Sequence, residues 1–281
     1  MEDLKGKFIT VTGATGGLGV EICKEAARRG ANLNLVARNK DKCDKLAKVI
    51  KELSPNAKVN VVITDFSSME SVKRATEELS LLDNDVIILN AGIYNEGTYV
   101  TDSGYNNIFQ VNFLSQYYTV RKLLDNGVKI DTAIAVGSLA HRWAKFDKNN
   151  IDYSGTGYNK VYGNSKRFLT FSFFDLVKKY KGTKFCVAHP GVSPTALLMH
   201  FNGFWGKVAA FFVKILFPHP KRAKRSITRA ITEDCGAFCW IGPWMFGIYG
   251  RPKKGKLKKA EDYDDVVKAA NEIYESVKAK F

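Results

Sequence analysis

Short apolar runs and amphipathic stretches alternate along most of this chain, and their periods tell them apart. Lys7–Thr12 is β-branched, apolar and followed by glycines, which predicts a buried strand. Val20–Arg29 has helical spacing and stops at Gly30. The alternation continues with strands over Asn32–Ala37, Val59–Thr64, Asp85–Leu89, Ile130–Val136 and Lys184–Ala188. Between them, helices are predicted over Lys40–Leu53, Ser68–Leu79, Tyr105–Asp125 and Asn159–Tyr180, with Ser67 or Ser68 as a cap. Strands that read as unbroken apolar runs are buried on both faces. The pattern therefore predicts an α/β fold: a doubly wound parallel sheet with helices on both faces. After Pro190 the alternation dissolves, and a last helix is predicted over Tyr263–Lys280. No composition shift marks a linker, so residues 1–281 read as a single domain.

The turn after the first strand is Thr12, Gly13, Ala14, Thr15, Gly16, Gly17, Leu18, Gly19. Gly13 lets the chain turn, Gly17 admits a pyrophosphate close to the backbone, and Gly19 lets the helix pack on the sheet. The helix N-terminus adds free N–H groups and a positive dipole end, with Thr15 and Leu18 in the same turn. Strand, glycine turn and helix in this order predict a Rossmann-type dinucleotide site. At the end of the second strand an acid would bind a ribose 2′-OH, and a cation would bind a 2′-phosphate. Here Ala37 is followed by Arg38, and no Asp or Glu lies nearer than Asp41. NADP(H) is thus the expected cofactor, with NAD(H) second.

Tyr162 and Lys166 are four residues apart, so on a helix they share a face. A phenol with an ordinary pKa near 10 needs a neighbouring positive charge to exchange protons near neutrality. Lys166 can supply that charge. Ser138, just past the fifth strand, lies at the carboxyl edge of the sheet, where it could orient a carbonyl.

With these residues in place the chain resembles the short-chain dehydrogenase/reductase family, from about Lys7 to Thr195. The family's glycine turn is matched by Thr12, Gly13, Gly17 and Gly19. Its adenine-binding acid is matched by Asp65, and its Asn-Ala-Gly turn by Asn90, Ala91 and Gly92. The resemblance implies a catalytic set of Asn112, Ser138, Tyr162 and Lys166, in which Asn112 organises a proton-relay water. It also implies cofactor contacts at Pro190, Gly191 and Thr195. The stretch Gly137–Arg142 and the long gap between Ser138 and Tyr162 are similar to retinol-dehydrogenase-like reductases, whose members act on apolar alcohols and carbonyls. The implied function is an NADP(H)-dependent oxidoreductase interconverting an apolar alcohol and its aldehyde or ketone. The alternative is a catalytically silent dinucleotide-binding sensor or scaffold of the same fold. His141 has no role in this chemistry and reads as a loop or packing residue, His189 reads as structural, and His200 and His219 are uninformative.

Charge changes the picture at one end of the chain. The net charge is +15, and residues 176–232 hold eleven Lys or Arg but no Asp or Glu. A second basic cluster is Arg251, Lys253, Lys254, Lys256, Lys258 and Lys259. Within this flank, residues 197–217 hold six aromatic residues: Phe201, Phe204, Trp205, Phe211, Phe212 and Phe217. We read about residues 195–245 as a substrate lid over an apolar pocket, with peripheral contact to an anionic membrane as a second role. No recognition helix points to nucleic acid, and none is expected as a partner. A homo-oligomer stays open. The five cysteines are odd in number and scattered; Cys235 and Cys239 lack companions for a zinc site. They read as reduced thiols. With no apolar signal core at the N-terminus, the expected location is cytoplasmic, with the membrane contact peripheral.

Overall fold

The computed structural model describes residues 3–94, 97–191, 220–245 and 249–281. Eight strands form one sheet in the order β3-β2-β1-β4-β5-β6-β7-β8. They are β1 Phe8–Thr12, β2 Asn32–Ala37, β3 Val59–Ile63, β4 Val86–Leu89, β5 Thr132–Val136, β6 Lys184–Ala188, β7 Phe238–Met245 and β8 Tyr249–Gly255. All neighbouring pairs are parallel except β7 with β8. The connections are α1 Gly17–Arg28, α2 Lys40–Leu53, α3 Met69–Ser80, α4 Asn107–Phe109, α5 Ser115–Asp125, α6 Tyr158–Lys179, α7 Pro220–Thr232 and α8 Tyr263–Lys280. The predicted doubly wound architecture is present.

Each central strand is buried on both faces. On one side Leu33, Leu35, Ile88 and Ile134 pack with Ile22 of α1, Ile50 of α2 and Ile227 of α7. On the other side Ile87, Leu89, Ala133 and Val187 pack with α3, α5, α6 and α8. Phe109 is central to this second layer, with ring neighbours Tyr105, Phe113, Tyr153 and Phe168. Helix starts follow local chemistry: Asn39 accepts from the Lys42 N–H, and Ser68, one of the two expected caps, accepts from the Ser71 N–H.

A polar ladder crosses β1, β2 and β3 within the apolar sheet. Asn60 donates to Asn34 (2.9 Å), Asn34 donates to Thr10 (2.9 Å), and Thr10 donates to Asn84 (2.6 Å). These groups are buried or half-buried, and a one-residue slip would leave them unpaired, so the ladder pins the register. That register sets where the turns after β1 and β2 sit relative to each other.

Three observations differ from the sequence reading. First, residues 220–245, read as part of a lid, belong to the scaffold: α7 packs on α1, and β7 joins the sheet beside β6. Residues 192–219 lie outside the described residues. Second, β8 runs antiparallel and ends the sheet. Third, Cys186 and Cys239 are register partners on β6 and β7 and are joined as a disulfide, where five reduced thiols were expected. Cys235 lies beside them. Adjacent parallel strands brought together two cysteines that are 53 residues apart in sequence.

Phe109→Ala removes a fully buried ring from between four aromatic neighbours. It should lower stability by about 3–5 kcal/mol, read as a shift in the denaturant midpoint.

Candidate active site

The carboxyl ends of β1, β2, β4 and β5 open onto one cleft of about 480 Å³. It lies where the strand order reverses between β1 and β4, the switch point of a doubly wound sheet. At one end are Thr15, Gly16, Gly17 and Leu18. At the other are Tyr162 and Lys166.

The phosphate end is built by close approach. Gly13 has φ +63°, and a Cβ there would lie 2.8 Å from the Ala91 Cα. A Cβ on Gly19 would meet the Gly13 carbonyl at 2.2 Å, which is why α1 can start tight against the turn. Gly17 is different, because a Cβ there would meet no protein atom within 4 Å. It opens to the cleft. Neither the Gly16 cap nor any acid in the first turn satisfies the α1 N–H groups with a side chain, which leaves a terminus suited to an anion.

Thr12 is buried behind the cleft rather than in its wall. Its hydroxyl donates to Gln116 (2.8 Å) and accepts from the N–H groups of Asn90 (2.9 Å) and Ala91 (3.0 Å). Asn90 in turn donates to the carbonyls of Thr12 (3.0 Å) and Gly13 (3.1 Å). Ala91, Gly92 and Asp65 line the cleft, and Asp65 is oriented by Ser67, which donates to it from both N–H and hydroxyl. Past the end of β2, Arg38 lines the cleft together with Lys42 of α2. Neither cation has an ion-pair partner among the described residues. Lys42 escaped the sequence reading, although its position in the first turn of α2, four residues after Arg38, carries the signal.

At the other end Tyr162 is half-buried and Lys166 buried, on the same face of α6 as predicted. Lys166 Nζ donates to the Val136 carbonyl at 2.9 Å. Burial brings its pKa down to about 8. Burial also pushes the Tyr162 phenol above its ordinary value, opposed by a hydrogen bond with Ser138 and assisted by the neighbouring Tyr94. Lys166 lies 5.9 Å from the centre of the Tyr162 ring, and burial rather than its charge sets the phenol's shift here. Ser138 also accepts from the Ala140 N–H at 3.2 Å. The following His141 is buried against Trp240 and bonded through Nδ1 to the Ser138 carbonyl (2.6 Å). Burial brings its pKa to about 4, so the neutral ring donates, a structural task.

Asn112 sits in a π-helical turn, Gln110–Leu114, between α4 and α5. Such turns are frequent at functional sites. Its amide clips the turn after β4: Oδ1 accepts from the Ile93 N–H (2.7 Å), and Nδ2 donates to the Ile93 carbonyl (2.9 Å) and Ser165 (3.4 Å). Gly92 lets it in, since a Cβ there would lie 3.1 Å from Asn112 Oδ1. Pro190 and Gly191 follow β6; Gly191 has φ +95°. Thr195 and the six lid aromatics lie outside the described residues. Tyr94, which the sequence reading missed, lines the cleft edge-on to Tyr162 (4.8 Å) and Tyr158 (5.6 Å). It carries no motif signal, because its role depends on three-dimensional packing.

The profile of the short chain dehydrogenase family matches residues 7–144. The chain belongs to the short-chain dehydrogenase/reductase family. It is 30% identical to human retinol dehydrogenase 13 over 205 residues, which cover 70% of this chain and 62% of that protein. Its fold is similar to a short-chain dehydrogenase from Sphingobium yanoikuyae solved in complex with NADPH. The TM-score is 0.56 at 19% identity, covering 83% of this chain and 87% of that one. It is likewise similar to an NADH-dependent reductase complexed with NAD, with a TM-score of 0.57 at 21% identity, covering 84% and 95%. Structural neighbours are thus seen with either nicotinamide dinucleotide, and the cleft of this chain runs from the glycine turn to Tyr162 and Lys166. It offers an open backbone at Gly17, cations past β2, and a phenol–amine pair at the far end.

Proposed function

We propose that this protein is an NADP(H)-dependent oxidoreductase that interconverts an apolar alcohol and its aldehyde or ketone. The observation that carries the reading is a cleft lined at one end by two cations, Arg38 and Lys42, unpaired among the described residues, and at the other by Tyr162 and Lys166, with Ser138 hydrogen-bonded to Tyr162. An Arg and a Lys converging where a ribose 2′-substituent would sit favour a phosphate over a hydroxyl. The four residues Asn112, Ser138, Tyr162 and Lys166 all stand at the same end, which a silent sensor or scaffold would not require.

The nicotinamide supplies hydride chemistry when bound; the protein supplies position and protons. Gly17 and the α1 N-terminus would hold the pyrophosphate, and Lys166 would bind the nicotinamide ribose. Ser138 fixes the carbonyl oxygen by donating to it. In reduction Tyr162 gives its proton to that oxygen, and its raised pKa keeps it protonated through neutrality. The tyrosinate that forms is stabilised by the Lys166 ammonium, and a water held near Asn112 returns the proton. Above a pH of about 8 Lys166 loses that charge, so reduction should slow as pH rises through this value.

Peripheral contact with an anionic membrane surface belongs to the same proposal. Trp143 and Trp244 are exposed, and Trp244 shares a surface pocket with Arg142, Lys253 and Lys254. Among the described residues no helix is long and apolar enough to cross a membrane.

Arg38→Ala and Lys42→Ala should each weaken NADPH binding roughly ten- to a hundredfold and leave NADH binding nearly unchanged. Calorimetry on both cofactors checks this, and tighter binding of NADH by the unaltered protein would reverse the cofactor assignment. In a screen of aldehydes, ketones and hydroxylated lipids read by NADPH oxidation, Tyr162→Phe should lower turnover by about 10²–10⁴-fold while cofactor binding persists. The rate of reduction by the unaltered enzyme should fall above about pH 8. Retained turnover in Tyr162→Phe would remove this tyrosine as the acid. Flotation with liposomes should recover the protein only when anionic lipid is present, and no recovery from either kind ends the membrane proposal.

A further inference from the structure

Between β6 and β7, beside the turn that leads into β7, three cysteines meet. Cys186 of β6 and Cys239 of β7 are bonded and 0% and 2% exposed. Cys235, in the turn between α7 and β7, is half-buried, and the three sulfurs lie within 4.8 Å of one another. A solvent thiol cannot touch the buried pair without strand separation. It can touch Cys235.

We propose that Cys235 is the exchange thiol of a three-cysteine redox site, through which a low-molecular-weight thiol reaches the buried Cys186–Cys239 bond. The chemistry is thiol–disulfide exchange. The Cys235 thiolate attacks one sulfur of the pair, so a bond to Cys235 forms and the Cys186–Cys239 bond breaks. The displaced sulfur leaves as thiolate and takes up the proton that Cys235 lost. No net redox change has occurred. A first solvent thiol then attacks the half-buried Cys235 sulfur and frees the second protein thiol. A further solvent thiol releases Cys235 and departs as the symmetric disulfide. Two solvent thiols are oxidised and one protein disulfide is reduced.

The turn is built to hold Cys235 in place. Lys184 Nζ donates to the carbonyls of Ile231 (3.2 Å) and Glu233 (3.0 Å), and Lys254 Nζ donates to that of Asp234 (3.4 Å). The Cys235 thiol itself donates to the Glu233 carbonyl at 3.7 Å. Burial raises the Cys235 thiol above its ordinary value, and the Lys254 and Lys184 ammoniums oppose that rise. Glu233 and Asp234 add to it, and Arg229 neutralises Glu233 through an ion pair. The exchange would decide whether β6 and β7 are covalently tied. Pro190 and Gly191 follow the far end of β6.

The experiment uses the full folded chain purified without reductant, exposed to reduced glutathione and quenched with a maleimide, with thiols mapped by peptide mass. The Cys186 and Cys239 thiols should appear at least about tenfold faster in the unaltered chain than in Cys235→Ser. A minor peptide linking Cys235 to Cys186 or Cys239 should be trapped. In denaturant the two chains should be reduced at equal rates. Equal rates in the folded chains would overturn the proposal. So would a Cys235→Ser defect that persists in denaturant, or free Cys186 and Cys239 before any thiol is added.

Discussion

The site depends on one clasp between two turns that are far apart in sequence. The Thr12 hydroxyl receives the N–H groups of Asn90 and Ala91, while the Asn90 amide gives back to the carbonyls of Thr12 and Gly13. Four hydrogen bonds thereby lock the turn after β1 to the turn after β4. The lock closes only because Gly13 has no side chain, as a Cβ would lie 2.8 Å from the Ala91 backbone. A gap of one methyl group would separate the two walls of the cleft. Thr12 and Gly19, expected to touch a cofactor, instead stand behind the surface that would. The polar ladder Asn60–Asn34–Thr10 extends the constraint sideways and fixes where Arg38 lies along the same edge.

At the reactive end, burial acts on two groups in opposite senses. It pushes the Tyr162 phenol up and the Lys166 ammonium down, because each charged form loses water. The two values therefore move apart, so the phenol still holds its proton at a pH where the amine has begun to lose its own. The Val136 carbonyl gives Lys166 a partial replacement for lost water, and Asn112 holds the turn after β4 through both backbone groups of Ile93. A Cβ on Gly92 would lie 3.1 Å from Asn112 and 3.7 Å from Lys166, so that glycine shapes the chemical end as Gly13 shapes the phosphate end.

The alternation up to Ala188 was legible because a strand buried on both faces must be an apolar run, and a helix covering it must be amphipathic. Beyond Pro190 the same logic loses its signal. Strand β7 contains Gly242, Pro243 and the exposed Trp244, and β8 reads Tyr-Gly-Arg-Pro-Lys-Lys-Gly. Edge strands carry proline and lysine to avoid further pairing, and those residues also erase the pattern that would reveal them. Helix α7 is basic and short of apolar residues; among its described side chains Ile227, Ala230 and Ile231 are the apolar ones that enter the core. Motif residues of the cleft were legible from order and spacing. Tyr94 and the Cys186–Cys235–Cys239 cluster were not, because each depends on neighbours that only folding supplies.

The last helix shows how a segment remote from the cleft sustains it. Arg121 of α5 is buried against Tyr274 and donates to Asn271 (2.6 Å) and Glu275 (2.9 Å) of α8. Arg167 of α6, next to Lys166, pairs with Asp262 at the head of α8 and donates to the His141 carbonyl at 2.6 Å. His141 is in turn bonded to Ser138. The Arg167 guanidinium is almost fully buried, so removing Asp262 would strand a charge, a cost of about 3–5 kcal/mol. The chain Asp262–Arg167–His141–Ser138 therefore ties α8 to the loop that carries Ser138. Arg121 ties it to the helix that continues from Asn112. No residue of α8 lines the cleft, yet the helices holding Asn112, Tyr162 and Lys166 are braced on it. The order of the site is set by the layer behind it as much as by the residues that face a substrate.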